Sequence, residues 1–164
     1  MDQTRKRVGI FVGQADEGTQ SRFITGFTQR AFEEDTDVCV FSMYKKSQDT
    51  PEREAGETNI FSLANPELFD GFVILEDTIQ TAGAGKKLEE RIHNEYDGPV
   101  LVVDAESDYY PSIFMNGYSS VRMLTEHAIK VHGATDIAFL CGKKANTFLL
   151  LLQAFLPRPI VTTI

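Results

Sequence analysis

The sequence is short of apolar length, of cysteine, of histidine in ligand spacings and of positive charge. No apolar run approaches the roughly 20 residues that a membrane-spanning helix needs. The first such run, Val8 to Val12, is far too short for a signal-peptide core, so a cytoplasmic protein without membrane contact is expected. The two cysteines, Cys39 and Cys141, sit inside the apolar runs Val38-Cys39-Val40-Phe41 and Ala138-Phe139-Leu140-Cys141. That setting predicts buried, reduced thiols and not a disulfide or a nucleophile. The three histidines, His93, His127 and His132, show no metal-ligand spacing with each other or with cysteine, so surface or capping roles are expected. Lys and Arg number 16 against 24 Asp and Glu, a net charge of -8. This balance repels phosphate backbones and argues against nucleic-acid binding by this chain alone.

Catalytic signatures are missing as well. A dinucleotide site needs G-x-G-x-x-G after the first strand, so that backbone can approach a pyrophosphate. The corresponding turn is Gly13-Gln14-Ala15-Asp16-Glu17-Gly18, with the wrong spacing and two acids where phosphate would lie. Gly83-Ala84-Gly85-Lys86-Lys87 imitates a phosphate loop but lacks the hydroxyl residue after its lysines. No G-x-S-x-G elbow is present. A phospho-receiver would need an acidic pair directly after the first strand; Asp16 and Glu17 come late in the loop. Asp77 could stand as its acceptor, but no lysine closes Pro99 to Val103. No cofactor and no metal is expected.

What is present is an ordinary globular composition, 42% apolar and 24% charged, on a chain long enough for a real core. Short β-rich runs alternate with amphipathic stretches. Arg7 to Gly13 reads as a strand buried on both faces, and Thr19 to Glu34 as a helix with Phe23, Ile24, Phe27 and Ala31 on one side. Val38 to Met43 is a second strand. Thr50-Pro51-Glu52 starts a helix, with Thr50 as N-cap and Pro51 at the first helical position, that runs to about Ala64 and stops at Asn65-Pro66. Phe72 to Leu75, Pro99 to Val103 and Ser112 to Met115 are further strands, and Lys86 to Tyr96 a helix between the first two of these. Asn116 caps a helix carrying Val121, Leu124, Thr125 and Ala128 on one side and ending near Gly133; Asp136 to Cys141 is the last clear strand. Strand–helix alternation implies right-handed crossovers and a three-layer α/β fold with a doubly wound parallel sheet. Ligands of such sheets bind beyond the strands' carboxyl ends, which points to Gly13–Gln20, Tyr44–Asp49, Glu76–Gln80 and Asp104–Tyr110.

Two segments resemble one family. Asp70-Gly71-Phe72-Val73-Ile74-Leu75 is similar to a strand of LacI/GalR-type ligand-binding domains. Ile113-Phe114-Met115-Asn116-Gly117-Tyr118-Ser119-Ser120, continuing through Val131-His132-Gly133 to Ile137-Ala138-Phe139-Leu140-Cys141-Gly142, resembles the family's V-x-x-D-N-x-x-G…HL…GH…IA-x-I-x-G pattern in order and spacing. The Val131-His132-Gly133 variant is like that of sensor domains joined to diguanylate cyclases or other output modules. The resemblance covers about residues 7 to 142. The family's Asp-Asn is Asn116-Gly117 here and its helix glycine is Ser120, so a charge is dropped while a capping residue is kept. The resemblance implies a periplasmic-binding-protein-like first lobe over 1–115, the start of a second lobe over 116–142, and an atypical apolar tail over 143–164. Phe148 to Leu156 is apolar on all sides and Pro157-Arg158-Pro159 breaks it, so the tail is expected to be foreign to the fold and the chain to be truncated, without a helix-turn-helix before Arg7.

The implied function is a sensor for a small, sugar-like ligand in a bacterial transcriptional or signalling regulator, not an enzyme. Asp104 matches the family position whose carboxylate accepts hydrogen bonds from sugar hydroxyls; satisfying local amides is the alternative role. Gln14 after the first strand, Glu76 after the third and Tyr44 after the second are further ligand-binding candidates, whereas Tyr109 and Tyr110 read as packing residues. The resemblance also allows a homodimer. A structural or dimerisation module without ligand is the alternative from another class, ahead of a phospho-receiver or a Rossmann-like enzyme.

Overall fold

The computed structural model describes residues 5–44, 50–113, 117–141 and 160–163. Two units result, Met1–Phe114 and Met115–Ile164. In the first, strands β1 (Lys6–Val12), β2 (Thr36–Ser42), β3 (Gly71–Leu75), β4 (Val100–Val103) and β5 (Ser112–Ile113) form one sheet in the order β2-β1-β3-β4-β5. Every pairing is parallel. Helix α1 (Gly18–Glu33) joins β1 to β2; α2 (Pro51–Thr58) and α3 (Ala84–Glu95) follow β2 and β3.

The alternating strand residues feed two cores, as period-2 geometry requires. Ile10, Val12, Val73, Leu75 and Val103 face one side, where Phe23, Ile24 and Phe27 of α1 cover them. Phe11, Phe72, Ile74, Val100 and Val102 face the other, packed with Phe61, Leu88 and Ile92. Phe11 is fully buried, with ring centroids of Phe41 and Phe72 each 5.3 Å away and Phe61 edge-on at 5.8 Å. Burial on both faces explains why these strands read as continuous apolar runs.

Local starts and stops follow the residue chemistry. The Thr50 side chain accepts the Arg53 N–H at 3.3 Å, with Pro51 in the first helical position. The helix then tightens early. Asn59–Leu63 is a 3₁₀ turn where the spacing predicts continued α-helix to about Ala64. Arg91 of α3 holds that segment, donating to the carbonyls of Phe61 at 2.9 Å and Ala64 at 2.8 Å. β2 begins two residues before its expected start, because Thr36 and Asp37 pair with Lys6 and Arg7. Cys39 is a free thiol, half-buried where full burial is expected; it lies on an edge strand with a neighbour on one side only.

In the second unit, helix α4 spans Gly117–Lys130, and β6 (Ala138–Cys141) pairs in parallel with β7 (Ile160–Thr163). The strand Ile160–Thr163 thus falls inside the stretch 143–164 that the sequence reading treats as an atypical tail. Leu124, expected on the packed side of α4, is 69% exposed, while Thr125 is buried. Residues 114–116, with the expected cap Asn116, and 142–159, with the apolar run Phe148 to Leu156, lie outside the described residues. Among the described residues no helix is long and apolar enough to cross a membrane.

Candidate ligand site at the strand ends

A parallel sheet places all its carboxyl ends on one edge. Register makes this specific. Phe11 pairs with Ile74 and Leu75 with Val103, so in continued register Gly13, Glu76 and Asp104 stand level just past the strand ends. The order reverses between β1 and β3, on either side of which the first-strand and third-strand loops leave the sheet; this is where doubly wound folds hold ligands.

Those two loops are locked together. The Gly13 N–H donates to Thr78 Oγ1 at 2.8 Å, and that hydroxyl donates to the Leu75 carbonyl at 2.6 Å. A Cβ on Gly13 would lie 1.9 Å from the Thr78 carbonyl oxygen, so only glycine permits this approach. The Ala15 N–H donates to Ser42 Oγ at 3.0 Å, which ties the same loop to the end of β2.

The four candidates fall on this edge with different environments. Gln14 is half-buried directly after β1. Tyr44 is 80% exposed past β2, its N–H donating to Glu57 Oε2 at 2.6 Å. Asp104 is exposed and left-handed at φ 60, its N–H donating to the Ile113 carbonyl at 2.8 Å. Aspartate is among the few side chains that tolerate that conformation. Among the described residues no hydrogen bond reaches the Gln14 amide group or the Asp104 carboxylate.

Glu76 is half-buried under the first turn of α3, where a Cβ on Gly85 would come within 2.7 Å of its Cγ. Burial pushes its carboxyl pKa up, the Glu89 charge adds to this, Lys86 opposes it, and Asp77 raises it slightly further.

Glu89 is a residue that the sequence reading missed. It is 4% exposed on α3, and the Ser107 hydroxyl donates to its carboxylate. Ser107 Oγ also accepts the N–H groups of Tyr109 and Tyr110, each at 3.2 Å, so the loop after β4 is pinned to α3. The signal was available: Gly85, Leu88, Glu89 and Ile92 form one buried stripe at helical spacing, and a carboxylate in such a stripe needs a partner. Tyr109 stacks on His93 with centroids 4.4 Å apart, which agrees with a packing role. The Tyr110 hydroxyl is buried without a partner among the described residues, and burial, then Glu89, then Tyr109 raise its pKa. Beside this edge, a cavity of about 330 Å³ opens between α2 and α3, lined by Thr58, Phe61, Thr81 and Leu88 among others.

No protein-family model and no curated protein sequence matches the chain. Solved structures do. The trehalose repressor from Escherichia coli is 14% identical with a TM-score of 0.62, over 98% of this chain and 60% of that one. The Lac repressor dimer bound to operator and an anti-inducer is 15% identical with a TM-score of 0.69, over 99% of this chain and 56% of that one. A LacI-family regulator from Weissella paramesenteroides with bound glucose is 12% identical with a TM-score of 0.67, over 96% and 58%. The fold is accordingly the periplasmic-binding-protein-like α/β fold of LacI-type regulators. This chain spans 56–60% of the length of these proteins.

Proposed function

We propose that this chain is a ligand-sensing domain of a bacterial transcriptional or signalling regulator, not an enzyme, and that its ligand is small and sugar-like. The observation that carries the reading is that Gln14, Glu76 and Asp104 follow the carboxyl ends of the adjacent strands β1, β3 and β4, beside the switch point of a fold shared with LacI-type repressors. Unpartnered amide and carboxylate groups on a rigid sheet edge suit hydroxyl recognition, since each accepts or donates without first breaking an internal bond. Asp104 and Gln14 are assigned the direct contacts, Glu76 a proton-sharing contact from beneath α3, and Tyr44 a place on the rim.

Titration with neutral mono- and disaccharides, followed by amide NMR, tests this. The few contacts from one edge must offset the cost of association, so affinity of about millimolar is expected, with the amides near Gln14 and Asp104 shifting. Asp104→Ala should abolish those shifts. Saturating sugar that leaves the strand-end amides unmoved would sink the ligand assignment.

One observation favours a pairing module as the second reading. β2 is an edge strand, and Val40 on it and Phe32 at the end of α1 are 38% and 77% exposed. A concentration-dependent dimer by light scattering, lost in Phe32→Lys, would support it.

A further inference from the structure

We propose that His127 and His132 form a two-imidazole site for a late first-row divalent metal ion at the carboxyl end of α4. Their Nε2 atoms are 3.1 Å apart, the ring planes stand 74° to one another, and the centroids are 4.9 Å apart. A metal bonded to two imidazoles at about 2.0–2.1 Å, with an angle of about 90–110° between the bonds, holds the nitrogens about 2.9–3.4 Å apart. The existing separation already falls in that range, and coordination needs the rings to turn so that both lone pairs converge on the metal.

The closing turn of the helix creates the pair. Residues five apart on an ideal α-helix are displaced by about 140° around the axis and do not face each other. Here the helix ends through bonds from the Val131 N–H to the His127 carbonyl at 2.9 Å, Gly133 to Ile129 at 3.1 Å and Ala134 to Ala128 at 3.1 Å. Gly133 takes the left-handed conformation at φ 65, and the turn brings His132 back over His127.

In the metal-free state one Nε2–H donates to the lone pair of the other Nε2. On binding, the donor ring moves its proton to Nδ1, both Nε2 lone pairs coordinate the metal, and no proton is lost from the pair. Both rings are exposed, so water fills the remaining coordination positions. No group of three His, Cys, Asp or Glu surrounds a common point among the described residues, which makes this a two-ligand site. Imidazole ligands favour Cu²⁺, Ni²⁺ and Zn²⁺ over Mg²⁺.

Isothermal titration of the untagged full chain with Ni²⁺ and with Zn²⁺ tests the site, with Mg²⁺ and the His93→Gln variant as controls. One-to-one binding is expected, weakened at least tenfold by His127→Gln and by His132→Gln alone and unaffected by His93→Gln. Both pair residues are exposed, so circular dichroism should show the variants folded. Heteronuclear spectra should show the two Nε2 resonances, and not the His93 ring, moving on addition of Zn²⁺. Binding that survives both single replacements, or that His93→Gln removes, overturns the proposal.

Discussion

The Met1–Phe114 unit and helix α4 of the second unit start from similar sequence patterns and end in different states. In α1 the periodic apolar residues Phe23, Ile24, Phe27 and Ala31 lie against the sheet, and behind them Ile10 and Val12 are fully buried. In α4 the side chains of Met123 and Leu124 are 71% and 69% exposed, and Thr125 is the buried member. Amphipathic spacing confers only the capacity to pack. Burial, and the roughly 25 cal/mol per Å² that comes with it, needs a second surface of matching shape. In the first unit the parallel sheet supplies that surface on both faces.

This contrast can be broken or sharpened by substitution. Phe11→Ala should produce the largest effect. The ring touches three other aromatic rings in a fully buried position, and its removal is expected to cost about 3–5 kcal/mol, read as a fall in the urea midpoint. A loss below about 1 kcal/mol would mean that the two-faced core is not the main source of stability.

Glu76→Gln should act next, and only above a threshold pH. Because folding raises this carboxyl's affinity for its proton, the stability it contributes is full below its ordinary value of 4.5 and is lost as pH rises through the raised value. The glutamine variant should melt at a higher temperature than the parent at pH 7.5 and at the same temperature at pH 4. Equal melting at both pH values would show that Glu76 is not strained by its burial beside Glu89.

Leu124→Ala should do least. At 69% exposure it is expected to change stability by no more than about 0.5 kcal/mol, with solubility unchanged or improved. A loss matching that of Phe11→Ala would show that α4 packs in solution, and the contrast between the two units would vanish.

Much of the first unit was legible from residues alone. The expected helix Thr19 to Glu34 appears as Gly18–Glu33, and the expected strand Phe72 to Leu75 as Gly71–Leu75. Thr50-Pro51 gave the start of α2 because capping and proline geometry are local. Its early tightening into a 3₁₀ turn was not legible, since Arg91, 27 and 30 positions away, holds the carbonyls that define it. The candidate edge residues followed from strand ends. Glu89 did not, because its partner Ser107 lies 18 residues on and reaches it only through the loop after β4.

The sequence by itself determined the alternation of strands and helices and the both-faces burial of β1. Each of these rests on side-chain period or backbone sterics within a few residues. Only the tertiary structure decided that β1 sits between β2 and β3, and therefore that the loops carrying Gln14 and Glu76 flank the switch point. It also decided that Thr78 closes on Gly13, that Glu89 is buried, and that His132 turns back onto His127. Those outcomes depend on which distant groups compete for the same space and the same hydrogen bonds, and no local pattern encodes that competition.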